Sequence, residues 1–157
     1  ILNHSVKAEL TEGECRVMYH AHPANLVAMT YVLPLTDREF SRALWQSETE
    51  CAMVFPQGVG VVGWLPPGGT EIALASSEKM RLYDAVVWAH HGLFCSGTDF
   101  DTTFGLMHTV EKAAEIYVKV RAMGGATQTI SDAQLRRTTE EYRLELNCDF
   151  LGEGRGD

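Results

Sequence analysis

Two histidines separated by one residue, His20 and His22, close a short apolar run that starts at Arg16. Residues two apart in a strand point to the same face, so both imidazoles can chelate one ion. A third histidine, His91, follows a second apolar run in the segment WAHHG. If the two runs are neighbouring strands with parallel ends, His91 meets the pair, and three imidazoles with an open fourth position form a catalytic zinc site. An ion held in this way polarises a carbonyl group and stabilises enolate charge.

The other histidines are expected to have different surroundings. His90 should point to the opposite face from His91, because an apolar strand precedes it, and should either pack against the core or support the metal ligands without binding the ion itself. His4 and His108 fall in helical patterns, where we expect them to be solvated. The H-x-H pair by itself is a weak signal, since two surface histidines at a strand end are common. A cupin is excluded because Leu26 stands where that fold needs a glutamate and because the chain is not all-β.

A second motif, G-x-G-x-x-G, is formed by Gly58, Gly60 and Gly63. Asp84 follows roughly 20 residues later, as in a dinucleotide-binding fingerprint. The third glycine of that fingerprint must open a helix, but here the segment WLPP follows it. We therefore interpret these glycines as a turn that lets two backbone segments approach closely, and not as a nucleotide site.

Two glutamates, Glu48 and Glu50, lie in the segment LWQSETEC between a predicted helix and a predicted strand. A carboxylate at the entrance to a strand can act as a general acid or base. Simple exposure to solvent is the commoner fate of a glutamate. Periodicity does not choose between these two interpretations.

The elements that must position these residues alternate between strands and helices, which predicts an α/β fold. Strands are predicted at residues 16–20, 51–55, 85–89 and 93–96. Helices are predicted over 2–10, from Pro23, from Thr36 or Asp37, over 70–80, over 99–123 and from Ser131. The strand at 85–89 is apolar throughout, so we expect it to be buried on both faces.

Composition restricts the possible partners. The chain has 13 Lys and Arg against 21 Asp and Glu, a net charge of −8, which argues against a nucleic-acid partner and against a basic membrane-binding surface. No apolar run approaches the roughly 18 residues that span a bilayer. The four cysteines form no C-x-x-C pair, so we expect reduced thiols and a cytoplasmic protein.

Six segments of the chain indicate its family more specifically than composition does. They are YHAHPANLVAMTYVL, FSRALWQSETECAMVFPQGVGVVGW, PPGGTEI, WAHHGLFCSG, FGLMHTVEKAAEIYVKVRAMGG and QTIS. Together they resemble the sugar-phosphate aldolases of the class II aldolase and adducin head family. The segments follow the order and spacing of that family from about residue 4 to about residue 135. The resemblance implies that the α/β fold is the three-layer αβα fold of a class II aldolase.

The resemblance also implies a zinc-dependent homotetramer that cleaves L-rhamnulose 1-phosphate to dihydroxyacetone phosphate and L-lactaldehyde. By motif, His20, His22 and His91 would be the zinc ligands, and Glu50 would transfer a proton at the aldehyde side. One alternative is another sugar-phosphate aldolase or epimerase of the superfamily, but LWQSETEC and AHHGLFCSG favour the rhamnulose type. The other alternative is a non-catalytic adducin-like interaction domain. The presence of the three histidines argues against it.

Some features of the family have no counterpart in these residues. In family members a long upstream segment holds the Asn/Gly and Ser/Gly phosphate-binding loops and ends on the principal catalytic glutamate, shortly before the H-x-H strand. This chain starts at Ile1, after that point. We therefore expect residues 1–150 to form the C-terminal part of a single aldolase domain that is inactive or nearly inactive alone. Residues 151–157 are expected to be a disordered tail.

Overall fold

The computed structural model describes residues 2–152 of the chain. In chain order the elements are α1 (Leu2–Leu10), β1 (Val17–Ala21), α2 (Ala24–Met29), α3 (Asp37–Trp45), α4 (Cys51–Val54), β2 (Gly60–Val62), α5 (Thr70–Met80), β3 (Ala85–Trp88), β4 (Gly92–Gly97), α6 (Phe100–Ala122), α7 (Asp132–Glu141) and a short 3-10 helix at Cys148–Phe150. None of the helices in this range is long and apolar enough to cross a membrane.

The four strands form one mixed sheet in the order β1-β4-β3-β2. Strand β4 lies antiparallel to both β1 and β3, while β2 lies parallel to β3. Because β1 and β3 are both antiparallel to β4, they run parallel to each other and end at the same edge of the sheet. The two strands are not direct neighbours, since β4 separates them, but their ends are parallel.

Helices cover both faces of the sheet. Helices α1 and α5 lie on one face, and α2, α3, α4, α6 and α7 lie on the other. In β3, Ala85 and Val87 pack into the larger helical layer, whereas Val86 and Trp88 pack into the smaller one. All four side chains are at most 8% exposed. The three-layer αβα fold is therefore confirmed, as is the burial of this strand on both faces.

One predicted strand is wrong. Residues 51–55 do not join the sheet, because Cys51–Val54 form the short helix α4. The first two residues of this helix are fully buried, whereas Val54 is 45% exposed. That one-sided burial follows the helical period, which a short apolar run does not reveal. The fourth strand instead occupies Gly60–Val62, in the Gly-rich segment whose sequence pattern predicts a turn.

The glycines of that segment let the layers approach closely, as expected. Gly58 has a φ of +91°, and a Cβ atom there would overlap the Ser41 hydroxyl. A Cβ atom on Gly60 would lie 2.8 Å from Cδ2 of Tyr83. The next helix begins only at Thr70, so the third glycine opens no helix and the dinucleotide fingerprint fails as predicted.

Side-chain caps explain where three of the predicted helices begin. Thr36, Asp99 and Ser131 precede α3, α6 and α7, and each accepts the backbone N–H of the residue three positions later. Caps of this type stabilise a helix by about 1 kcal/mol each. These three helices are confirmed near their predicted starts, and α1 and α5 span the predicted residues.

The end of the described chain is part of the fold. Leu151 is 6% exposed and packs in the larger core cluster. The backbone N–H of Gly152 donates to Oδ2 of Asp132 at 2.7 Å. The disordered tail expected for residues 151–157 is therefore wrong for its first two residues, and residues 153–157 lie outside the described residues.

Candidate metal centre

Three histidines meet at the edge of the sheet where β1 and β3 end. His20 lies in β1, His22 follows that strand, and His91 lies in the turn between β3 and β4. Each histidine offers one ring nitrogen, and these three atoms lie within 4.8 Å of one another. The Nε2 atoms of His22 and His91 are 3.1 Å apart. The predicted meeting of the three imidazoles is therefore confirmed.

The ring of His20 is fixed from two sides. Its Nδ1 atom lies 2.9 Å from the carbonyl oxygen of Leu93, and its ring stacks on Phe94 with centroids 4.2 Å apart. Since a carbonyl only accepts, Nδ1 donates and Nε2 keeps its lone pair for a ligand. Partial burial lowers the pKa of His20, the bond to Leu93 opposes this effect, and the charges of His22 and His91 add to it. A lowered pKa favours the neutral ring, which is the form that binds metal.

Gly92 makes room for this arrangement. It is the first residue of β4, directly after His91. A Cβ atom at this position would overlap the carbonyl oxygen of Ala21 and would lie 3.1 Å from Cδ2 of His22. The close approach of the two histidine-bearing segments therefore depends on the missing side chain.

The donor set fits a divalent metal ion. Three neutral imidazoles are a usual ligand set of catalytic zinc, which keeps a further position open for water or substrate. With Zn–N distances of about 2.0–2.1 Å and tetrahedral angles, two ligating nitrogens would be about 3.3 Å apart. The 3.1 Å between the Nε2 atoms of His22 and His91 is close to that separation. The ring of His22 is exposed, so the site is open to small molecules.

The remaining histidines lie outside this cluster. His90 is exposed, so its expected packing against the core is wrong, while the alternative that it supports the metal ligands stays a prediction. The strand ends at Trp88, and the alternation of faces does not continue into the turn where His90 lies. His4 and His108 lie on α1 and α6 and are exposed, as expected.

Glu48 and Glu50 have different surroundings in the structure. Glu50 is exposed at the N-terminal end of α4 and is not among the residues that meet at the histidine cluster. Glu48 is partly buried, and its Oε2 atom has no hydrogen-bond partner among the described residues. Burial raises the pKa of Glu48, the neighbouring charge of Glu50 raises it further, and Lys112 and His108 act in the opposite direction. The proton-transfer role of Glu50 stays a prediction.

Sequence reasoning missed a carboxylate that holds the segment after His22. Glu111 of α6 accepts hydrogen bonds from the backbone N–H groups of Asn25 and Leu26, at 3.1 and 3.0 Å. A single sequence carries no signal for a contact between residues so far apart in the chain. The role of Gly92 is easier to predict from the sequence than that of Glu111. A glycine directly after a histidine at a strand end indicates that another backbone segment approaches closely there.

The fold and the site now define a class of protein. The profile of the class II aldolase and adducin N-terminal domain matches residues 10–118. The chain belongs to this family, and its histidine cluster lies within the matched residues.

Curated proteins with high sequence identity to this chain have a name that is more specific than the family's. The chain is 49% identical over 140 residues to rhamnulose-1-phosphate aldolase of Listeria monocytogenes serotype 4a, a match that covers 89% of this chain and 51% of the relative. It is 48% identical over 144 residues to the enzyme of the same name from Klebsiella pneumoniae, covering 92% of this chain and 52% of the relative. The chain thus spans about half the length of these relatives.

Solved structures agree on the fold. A sugar-phosphate aldolase from Thermotoga maritima superposes with a TM-score of 0.71 at 30% identity, over 80% of this chain and 53% of that one. L-fuculose-1-phosphate aldolase from Thermus thermophilus superposes with a TM-score of 0.59 at 26% identity, over 79% of this chain and 64% of that one.

Proposed function

We propose that this chain carries the zinc site of a sugar-phosphate aldolase that cleaves L-rhamnulose 1-phosphate to dihydroxyacetone phosphate and L-lactaldehyde. The observation that carries the proposal is the convergence of His20, His22 and His91 at one edge of the sheet. The identity of 48–49% with curated rhamnulose-1-phosphate aldolases supports the choice of substrate.

The surroundings of His20 and His22 suit them to this proposal. A divalent ion held there would polarise the substrate carbonyl and stabilise the negative charge that develops when the adjacent carbon–carbon bond breaks. His20 presents Nε2 in a fixed direction, because its other ring nitrogen is held by Leu93. His22 is exposed, which leaves the open side of the site accessible to a sugar phosphate.

Glu50 is proposed to exchange a proton with the aldehyde part of the substrate. Its carboxylate is exposed at the start of α4 and so is free to meet a substrate. Glu48 is less suitable, because its partly buried carboxylate faces Lys112 and His108 of α6. In an enzyme that also has the family's upstream segment, a change of Glu50 to Gln should lower turnover while zinc binding stays unchanged.

Metal analysis of the purified chain tests the site directly. We expect about one zinc ion per chain, and we expect His22→Ala to weaken zinc binding by at least about 100-fold because it removes one of three ligands. His108→Ala is the matched control, since it removes an exposed histidine that lies outside the cluster. A wild-type chain that stays metal-free at equimolar zinc would refute the assignment, as would equal loss in both variants.

Substrate choice is tested by following dihydroxyacetone phosphate release from L-rhamnulose 1-phosphate and L-fuculose 1-phosphate. We expect any turnover to favour the rhamnulose substrate. Turnover by these 157 residues alone should be absent or very low, because the family's phosphate loops and principal glutamate have no counterpart in them. Preference for the fuculose substrate would contradict the proposed specificity, and robust turnover would contradict the expected place of the principal base.

We propose a homotetramer in the cytoplasm for the assembled enzyme. The family resemblance supports the tetramer. Four free cysteines, three of them buried, agree with a reducing compartment. Sedimentation of the zinc-loaded protein would test the assembly.

A further inference from the structure

We propose that Thr30 is a positioning residue for the metal centre, because its hydroxyl holds the turn that carries His91. The inference rests on the proposed metal site. Thr30 lies at the C-terminal end of α2 and is 4% exposed. It touches none of the three histidines of the cluster through any described hydrogen bond, so it would act through the turn alone.

The turn that carries His91 has a strained backbone at His90. The backbone N–H of His91 donates to the carbonyl oxygen of Trp88 at 3.1 Å, which closes a four-residue turn. The third residue of this turn, His90, has a φ of +61°. That left-handed conformation is unfavourable for a residue with a side chain and persists where surrounding contacts impose it.

The Thr30 hydroxyl supplies those contacts. It accepts the backbone N–H of His90 at 3.1 Å, and it lies 3.0 Å from the side-chain Nδ1 atom of the same residue. Its own proton goes to the carbonyl oxygen of Val27 at 2.6 Å, so Nδ1 must be the donor in the second contact. One buried hydroxyl therefore fixes both the backbone and the side chain of the strained residue. The ring of Tyr31 also contacts the ring of His90, with centroids 4.2 Å apart.

The same hydroxyl connects the two segments that carry the histidines. Only Pro23 and helix α2 separate His22 from Thr30 along the chain. Within α2, Leu26 and Met29 are fully buried, so this helix is anchored in the core. The hydrogen bond that the backbone N–H of His90 donates to Thr30 thus links the segment after β1 to the turn after β3, across the intervening strand β4. The separation of His22 and His91 depends on this link.

Thr30→Val tests the proposal, because valine keeps the shape of threonine and lacks the hydroxyl. We expect zinc affinity, measured by competition with a chromophoric chelator, to fall by about 10- to 100-fold, as for other groups that orient a metal ligand. The visible spectrum of the Co²⁺-loaded chain should change with the altered ligand geometry. Thr30→Ser keeps the hydroxyl and should retain both the affinity, within about threefold, and the spectrum.

His90→Ala provides a second test that leaves α2 intact. It removes the Nδ1 contact and the ring contact with Tyr31, and we expect it to weaken zinc binding in the same direction as Thr30→Val. If Thr30→Val does not fold, His90→Ala and Thr30→Ser decide the question. Wild-type affinity and an unchanged Co²⁺ spectrum in Thr30→Val, or in His90→Ala where the first variant does not fold, would overturn the inference. Failure of the wild-type chain itself to bind zinc would instead refute the proposed function, and the inference with it.

Discussion

The carboxylate of Glu111 caps the helix that follows the His20–His22 pair. It accepts the backbone N–H groups of Asn25 and Leu26 and the side-chain amide of Asn25, at 3.1, 3.0 and 2.8 Å. The residue at the N-cap of this helix is Pro23, which makes no side-chain cap. A carboxylate from α6 therefore satisfies amides that the local sequence leaves unpaired, and its charge also suits the positive end of the helix dipole.

Loss of this cap should destabilise the protein and loosen the segment after His22. For Glu111→Ala we expect the free energy of unfolding in urea to fall by about 1–2 kcal/mol, the range for lost helix caps. Zinc affinity should fall as well, because the segment that directly follows two of the proposed ligands loses its anchor.

Glu115→Ala is the matched control for Glu111→Ala, one turn further along α6. Glu115 pairs with Lys112 and Lys119 on the surface of the helix, and surface ion pairs contribute less than about 1 kcal/mol. Equal destabilisation by the two variants, with unchanged zinc affinity in both, would contradict the proposed role of Glu111.

Gly92→Ala should damage the metal site more than the fold. A Cβ atom at this position would overlap the carbonyl oxygen of Ala21 and press on the ring of His22, so the two segments must separate. We expect zinc affinity to fall by at least about tenfold, the lower end of the effect of altered ligand orientation. Gly105→Ala is a suitable control, since no atom lies within 4 Å of a Cβ there. Chelator competition on both variants gives the comparison, and equal affinities would contradict the expectation.

The sequence predicts the histidine cluster because two local rules suffice for it. Alternation of faces along a strand places His20 and His22 together. The parallel ends of β1 and β3 then bring His91 to the same edge. Neither rule needs the identity of the strand in between, so the prediction holds although β4 separates the two strands.

Predictions that depend on tertiary contacts are less secure. The run at residues 51–55 is too short for its apolar pattern to distinguish a strand from a helical turn, and packing against other helices makes it α4. Strand β2 forms where Gly60 lets α5 pack closely and where Asp37 accepts the N–H of Val61 at 2.7 Å. These contacts join segments far apart in the chain, and no local pattern encodes them.

The reactivity of the four cysteines should follow their burial. Cys148 is exposed, while Cys15, Cys51 and Cys95 are buried. Burial also raises the pKa of the Cys51 and Cys95 thiols, so little of the reactive thiolate is present. We expect iodoacetamide to modify one cysteine in the folded chain and four in urea, counted by mass spectrometry. Cys148→Ser should abolish the modification of the folded chain, and rapid labelling of that variant would contradict the described packing.

Glu48→Gln should stabilise the protein at neutral pH and not in acid. The folded-state pKa of Glu48 lies above its ordinary value of 4.5, mainly because of burial. Folding therefore favours the protonated carboxyl, and this contribution is present below pH 4.5 and lost as the pH rises through the folded-state pKa. At pH 7 the ionised group is unfavourable, and a neutral glutamine removes that cost.

We expect Glu48→Gln to raise the free energy of unfolding at pH 7 by no more than about 1 kcal/mol, since the group is only partly buried and solvent screens its charge. The difference from the wild type should shrink when urea unfolding is repeated at pH 4. Glu78→Gln, at a side chain that is 76% exposed, should change the free energy of unfolding by less than about 0.5 kcal/mol at either pH. A gain for Glu48→Gln that is the same at both pH values would show that ionisation of Glu48 is not its cause.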